Sequence, residues 1–357
     1  MVFHTFFRED QQEFAEAGEI ASWGNWYLAT GNSSGVTLQT GQDIVVRGQF
    51  ASKGSLANTQ DTNFRAVSDR WYVRFHSCDG PQTNIEIVVR PVFAFSHNLG
   101  DVKSTSQECL FTLGLVQDQV INFAGHSGTL APVPGLWSSY YKSDTNAVRA
   151  FYYDYQNALL SSNALDAKIQ NDSVDAAGQD YATITTLAVR QTFGALQYAG
   201  TASKPYIFLK EISSNSDIQT VDVIFPAFPI FIYLNPMLGR YLLDPLYENQ
   251  ESGAYPNAYA EHDLGTFPVA KGYPAGNDEP MPLEECGNMI IMTLAYAQRT
   301  GDLEYLNAHY AKLSQWAEFL VNDSLIPAHQ LSTDDFAGPL SYVSLATLPG
   351  SIEFVDG

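Results

Sequence analysis

The residues best suited to chemistry in this chain are carboxylates, which occur as neighbouring pairs or beside a histidine: His262-Asp263, Asp278-Glu279, Glu284-Glu285 and Asp334-Asp335. Each group lies next to Gly or Pro or at an expected helix terminus, and loops at the mouth of a rigid scaffold are where reacting groups collect. Two carboxyl groups near one bond can divide a hydrolysis between them, one drawing a proton from water and the other giving one to the leaving group. A plainer reading exists for the same residues. Glu284 and Glu285 follow Pro280 and Pro282, which fits the first turn of a helix, where the helix dipole favours negative charge. The candidate catalytic residues are Asp263, Glu285 and Asp335, and the candidate substrate-binding residues are His262, Asn288 and Asp334. His262 can orient Asp263 or be oriented by it; Asn288 can meet a substrate carbonyl or satisfy helix backbone.

Nucleophilic alternatives are weaker. Cys286 stands against an apolar stretch, 289–297, and reads as a buried, inert thiol. Ser139-Tyr140-Tyr141-Lys142 has the S-x-x-K spacing of serine acyl-enzymes without a K-T-G companion. The three cysteines, Cys78, Cys109 and Cys286, have neither metal-ligand spacing nor a C-x-x-C pair, so no metal site, cofactor or disulfide framework is read.

The elements that must position these residues change character along the chain. From residue 20 to about residue 135, short apolar runs such as Trp26-Tyr27-Leu28, Asp43-Ile44-Val45-Val46 and Val92-Phe93-Ala94-Phe95 alternate with Gly, Asn and Ser turns, the punctuation of strands. Beyond Pro132-Val133-Pro134-Gly135 the period becomes helical, with Val148, Phe151, Tyr152, Tyr155 and Leu159 on one face. Residues 289–297 are apolar nearly all round, whereas Leu303, Leu306, Tyr310, Leu313, Ala317 and Leu320 make one stripe. Gly301-Asp302 is a tight connection between them, which predicts an antiparallel pair of a buried and a half-exposed helix, the unit of an α/α toroid or of a helical bundle.

The balance of charge limits the partners. Lys and Arg number 18 against 39 Asp and Glu, a formal charge of -21 that repels phosphate backbones and anionic lipid and argues for neither a nucleic-acid nor a membrane partner. A small-molecule substrate fits; oligomeric state stays open. Residues 1–10 contain no apolar signal-peptide core, and the longest apolar stretch, 223–234, is broken by Pro226 and Pro229. Sequons occur at Asn32, Asn171 and Asn322.

Several segments resemble the fungal glutaminase A family. They are Gly41-Gln42-Asp43-Ile44-Val45-Val46-Arg47-Gly48, Leu56-Ala57-Asn58-Thr59-Gln60-Asp61-Thr62-Asn63, and Asp180-Tyr181-Ala182-Thr183-Ile184-Thr185-Thr186-Leu187. Phe225-Pro226-Ala227-Phe228-Pro229, the run Asp278-Glu279-Pro280-Met281-Pro282-Leu283-Glu284-Glu285-Cys286-Gly287-Asn288, and Leu331-Ser332-Thr333-Asp334-Asp335-Phe336-Ala337-Gly338 complete the set. The resemblance implies a secreted hydrolase converting L-glutamine to L-glutamate and ammonia, with a β-sandwich domain ahead of an (α/α)6 toroid of the six-hairpin glycosidase type. It also implies that this chain, with five or six helices read from its pattern, holds a partial β-sandwich and an incomplete toroid and is a truncated, inactive form. The expected division is 1–135 for the β-domain, 136–340 for the first half of the toroid and 341–357 for a tail outside the family pattern. Within the β-domain, 72–89 reads as an inserted loop. Codons available to Trp71-Tyr72-Val73 and Ser341-Tyr342-Val343 can hide splice donors, so both segments read as retained intron sequence. Glycoside hydrolysis by a carboxylate pair about 6.5 to 9.5 Å apart is the alternative reading, and a non-catalytic fragment is a third.

Overall fold

The computed structural model describes residues 1–18, 20–63, 91–104, 106–211 and 216–324. The segments 72–89 and 341–357, with Asp334 and Asp335, lie outside the described residues. The chain is strand-rich in its amino-terminal part and helical thereafter, and it divides into two compact units, one of residues 1–11, 24–116 and 148–155, the other of residues 12–23, 117–147 and 156 onward.

In the first unit, β1 (Val2–Phe6) pairs antiparallel with β4 (Asn25–Thr30), which pairs with a third strand, β7 (Phe111–Val116). A second ribbon joins β5 (Val36–Gln42) to β6 (Pro91–His97), with Leu38 opposite Phe95. Between these ribbon strands the chain departs from the strand reading of Asp43-Ile44-Val45-Val46: it forms helix α1 (Asp43–Lys53). Local signals explain the departure. Asp43 and Arg47 pair one turn apart, Gly54 closes the helix in the left-handed region (φ 64°) with its N–H on the Phe50 carbonyl, and only Val46 of the apolar run is buried.

The second unit carries β2 (Glu16–Ala17) and β3 (Ile20–Ala21), then β8 (Gln119–Ala124) and β9 (Leu130–Pro134), with β8 also paired in parallel to β12 (Val269–Ala270) far along the chain. That pairing draws residues 117–147 into the helical unit, so compactness follows a different line from the strand-to-helix change read near residue 136. Helices α2 (Asp144–Tyr153) and α3 (Tyr155–Gly194, broken at Ala177-Gly178) lead to a hairpin of β10 (Leu196–Thr201) and β11 (Lys204–Leu209). Of the helical face read at 148–159, only Val148 is buried.

Five helices follow: α4 (Val221–Leu234), α5 (Pro236–Glu251), α6 (Pro282–Thr300), α7 (Leu303–Ala308) and α8 (Tyr310–Asp323). Pro226 and Pro229 lie inside α4, where packing of Ile224, Phe228 and Phe231 in the core outweighs the two lost backbone donors. Gly239 of α5 lets this helix approach α4; a Cβ there would come within 2.9 Å of the Phe228 ring. Leu242, Leu246 and Tyr247 of α5 share one core with Met289, Met292 and Tyr296 of α6, Trp316 of α8 and Phe208 of β11. The expected tight connection is present: Gly301 (φ 76°) ends α6, and Asp302 caps α7 by accepting the Tyr305 N–H at 3.0 Å. Two details differ from the pattern. Ile291 and Leu294 of α6 are exposed, and the single expected stripe is split at His309 into two helices whose buried residues are Tyr305, Leu313 and Trp316, leaving Leu303, Tyr310 and Ala317 outside.

The α5–α6 connection, residues 252–281, is held by backbone bonds to the segment entering α4. Val221 N–H donates to the His262 carbonyl at 2.9 Å, Leu264 N–H to Ile218 at 2.9 Å, and Ile218 N–H to Gly265 at 2.8 Å. Gln219, with no exposed surface, anchors that segment: its side chain accepts from Leu209 N–H at 2.7 Å and donates to the carbonyls of Ile207 at 2.9 Å and Leu242 at 2.7 Å. Gln219→Leu leaves those buried backbone groups without their partner, so we expect a loss of about 2–4 kcal/mol in urea unfolding; an unchanged midpoint would show that the clamp is dispensable.

Candidate active site

The 252–281 connection and the first turn of α6 bring a buried set of ionisable groups together. His262 is fixed from three sides. Its carbonyl accepts from Val221, its N–H donates to Asp278 Oδ2 at 3.1 Å, and its Nδ1 lies 2.8 Å from Asp263 Oδ2. Asp278 in turn accepts from the Tyr255 hydroxyl at 2.9 Å on both oxygens. The other carboxylate oxygen of Asp263 accepts from Gly265 N–H at 2.6 Å and the Tyr273 hydroxyl at 2.9 Å. With both oxygens engaged and the side chain buried, Asp263 is built to hold the imidazole in one orientation.

That leaves Nε2 as the outward nitrogen of His262, 3.8 Å from Asp222 Oδ1 in the first turn of α4. One donor atom each from Asp222, His262 and Glu285 lies within 4.8 Å of the others, and the same holds for Asp217, His262 and Asp263. Either set has the donor chemistry to hold a divalent cation. Glu285 has no exposed surface; Oε2 accepts from Asn288 Nδ2 at 3.3 Å, while Oε1 has no hydrogen-bond partner among the described residues.

Burial pushes the Glu285 carboxyl well above the usual range, and the negative charges of Asp222, Glu284 and Asp263 add to it. Burial also raises Asp217, to about 6, with Asp263 and Glu211 contributing. Glu261, fully buried with Tyr273 N–H on one oxygen at 2.6 Å, moves upward through the same desolvation. His262 moves against its burial: desolvation, the largest influence, favours the neutral ring, but the Asp263 bond and the charges of Asp222, Asp263 and Glu279 together lift it to about 9. A buried imidazolium surrounded by carboxyl groups results.

Asp263, Glu285, His262 and Asn288 thus converge, whereas Asp334 and Asp335 fall outside the described residues. Asp222, Asp217, Glu261 and Tyr273 were not read from the sequence; Asp222 and Asp217 carried no local signal, being 40 and 45 residues from His262. A substrate carboxylate would call for a cation, and two arginines of the helical half lie apart from the cluster: Arg190 is exposed on α3, and Arg299 is near the far end of α6, about 21 Å along the axis from Glu285. Cys286 has no exposed surface, its Sγ accepts the Ala260 N–H at 3.2 Å, and burial pushes its thiol up, so it has the features of an inert core residue. Ser139 serves as an acceptor for Ala202 N–H at 3.0 Å.

Residues 178–347 match the glutaminase A six helical-hairpin domain, and residues 1–86 and 79–172 match a domain of unknown function, DUF5127. Glutaminase A of Aspergillus oryzae is 50% identical over 353 residues, covering 99% of this chain. The chain belongs to the glutaminase A family. A second relative, a probable glutaminase of Arthroderma benhamiae, is 33% identical over 410 residues and covers 97% of the chain. The chain spans about half the length of these relatives, 48% of the first and 45% of the second.

For this family member the charge on His262 is open to direct measurement. A folded-state value of about 9 lies above the ordinary 6.5, so the interaction stabilises fully below pH 6.5 and its contribution disappears as pH rises through about 9. In chelator-treated protein, NMR titration of labelled histidine should place the His262 midpoint above 8, and His262→Gln should lower stability by on the order of 3 kcal/mol at pH 6 and far less at pH 10. A midpoint near 6.5 would remove the buried imidazolium.

Proposed function

We propose that the protein hydrolyses the side-chain amide of L-glutamine, releasing L-glutamate and ammonia. The observation that carries this reading is the fully buried Glu285 carboxyl, pushed well above the usual range and grouped with His262 and Asp222, in a chain akin to proteins named glutaminases. Amide hydrolysis needs a proton for the departing nitrogen, charge stabilisation for the tetrahedral oxyanion and a base for water. Glu285, held protonated by burial, donates to the nitrogen. The His262 Nε2–H meets the oxyanion, with Asp263 behind it as the positioning residue. Asp222, beside Nε2, draws the proton from water. Asn288 fixes the Glu285 carboxyl, and Asp334 and Asp335 remain proposed partners for the substrate ammonium.

The test is ammonia release from glutamine against hydrolysis of aryl glycosides, measured on this chain and on a protein extended to the length of its relatives. Glu285→Gln and Asp263→Asn should each reduce glutamine turnover by roughly two or more orders of magnitude, the scale of a lost general acid or a misplaced imidazole. Cys286→Ser should leave turnover within a few-fold. Loss of activity in folded Cys286→Ser would replace this scheme with a thioester route, and glycoside turnover without ammonia release would replace the substrate.

Passage through a secretory pathway belongs to the same proposal, supported by exposure of the asparagine in all three sequons, Asn32, Asn171 and Asn322. Protein produced behind a secretion signal in a fungal host should lose mass on treatment with an amidase that removes N-linked glycans. An unchanged mass would remove this support.

A further inference from the structure

Among the described residues, the imidazole nitrogen that Asp263 leaves outward faces acid. Asp222, His262 and Glu285 present one oxygen, one nitrogen and one oxygen within 4.8 Å of one another, and His262 Nε2 lies 3.8 Å from Asp222 Oδ1. Tetrahedral or octahedral ligands bonded at about 2.0–2.2 Å stand about 3–3.5 Å apart, so closure around a small cation requires shifts of only a few tenths of an ångström for that pair. The second observation is independent of the clustering: Glu285 has no exposed surface, yet its Oε1 has no hydrogen-bond partner among the described residues. A buried carboxylate oxygen in that condition costs stability unless something positive or proton-bearing meets it. The third is the hydrogen bond from His262 Nδ1 to Asp263, the outer support by which proteins set the orientation and tautomer of a metal-bound imidazole.

From these we infer that Asp222, His262 and Glu285 form a binding site for a first-row divalent cation of the zinc or manganese type. One imidazole and two carboxylates suit such an ion better than calcium or magnesium, which take oxygen ligands. Three protein ligands leave positions open for water. Binding displaces the Nε2 proton of His262 and the proton on Glu285 to solvent, so the cation takes the place of the imidazolium as the positive charge of the cluster. In the cation-bound form the proton roles given above to Glu285 and His262 give way to the ion, so the inference bears on the mechanism at this site but not on glutamine as the substrate.

The experiment uses the full chain stripped with chelator and titrated with Zn2+ by calorimetry in two buffers of different ionisation enthalpy, with Co2+ absorption and NMR in parallel. We expect saturable binding of a single equivalent with proton release, and a strongly shifted imidazole resonance in the Co2+ form. His262→Gln, Asp222→Asn and Glu285→Gln should each weaken Zn2+ by roughly 10-fold or more, while Asp217→Asn should not. The unsubstituted chain supplies the decisive arm should a variant fail to fold: no saturable Zn2+ binding, or Co2+ binding without imidazole coordination, overturns the site. Binding lost with Asp217→Asn and kept with Asp222→Asn would also overturn it, moving the ion to the Asp217–His262–Asp263 set. None of these outcomes bears on whether glutamine is the substrate.

Discussion

Burying several carboxyl groups around a single imidazole is the constraint on which the rest of this site depends. A carboxylate taken out of water needs donors, a proton or a cation, and each group here finds a different answer. Asp263 takes three donors from Gly265, Tyr273 and His262. Asp278 takes the Tyr255 hydroxyl and the His262 N–H. Glu285, with one amide donor at 3.3 Å, is left to hold its proton or to meet an ion.

Such an arrangement tolerates little slack, because a displaced donor exposes a buried charge with no partner. The backbone bonds from 216–221 to 262–267 and the Gln219 side chain meet this demand, tying the 252–281 connection to β11 and to the middle of α5. Behind them lies the core shared by α4, α5, α6 and α8, which fixes the direction of α6 and therefore where its first turn delivers Glu285. Stability and chemistry meet at that turn. The helix dipole, which by itself favours a charged Glu285, is outweighed by complete burial beside other acids, so the carboxyl is pushed toward its protonated form despite its position at a helix amino terminus.

The histidine turns the same acids to use. Desolvation alone would make His262 neutral, yet the bond to Asp263 and the field of Asp222 and Glu279 reverse the sign. Among the described residues, the influences that make this centre positive are the bond to Asp263 and the charges of Asp222, Asp263 and Glu279. The proposed reaction would use that charge on a developing negative oxygen, and the proposed cation would take its place.

What the sequence determined by itself were the features written in local contacts. The order of strands then helices follows from a change in period, the start of α6 from Pro280 and Pro282, the α6–α7 turn from Gly301-Asp302, and the inertness of Cys286 from its apolar neighbours. Adjacency made His262-Asp263 visible, as it made Glu284-Glu285 visible without saying which of the two would be buried. Tertiary structure alone decided that 117–147 joins the helical unit through β12, and that α7 and α8 part at His309. It alone brought Asp222, from the start of α4, to the outward nitrogen of a histidine 40 residues later. The physical reason is range: propensity and capping act within a turn or two of the chain, whereas desolvation and charge act through space, between groups whose spacing in sequence carries no trace of their contact.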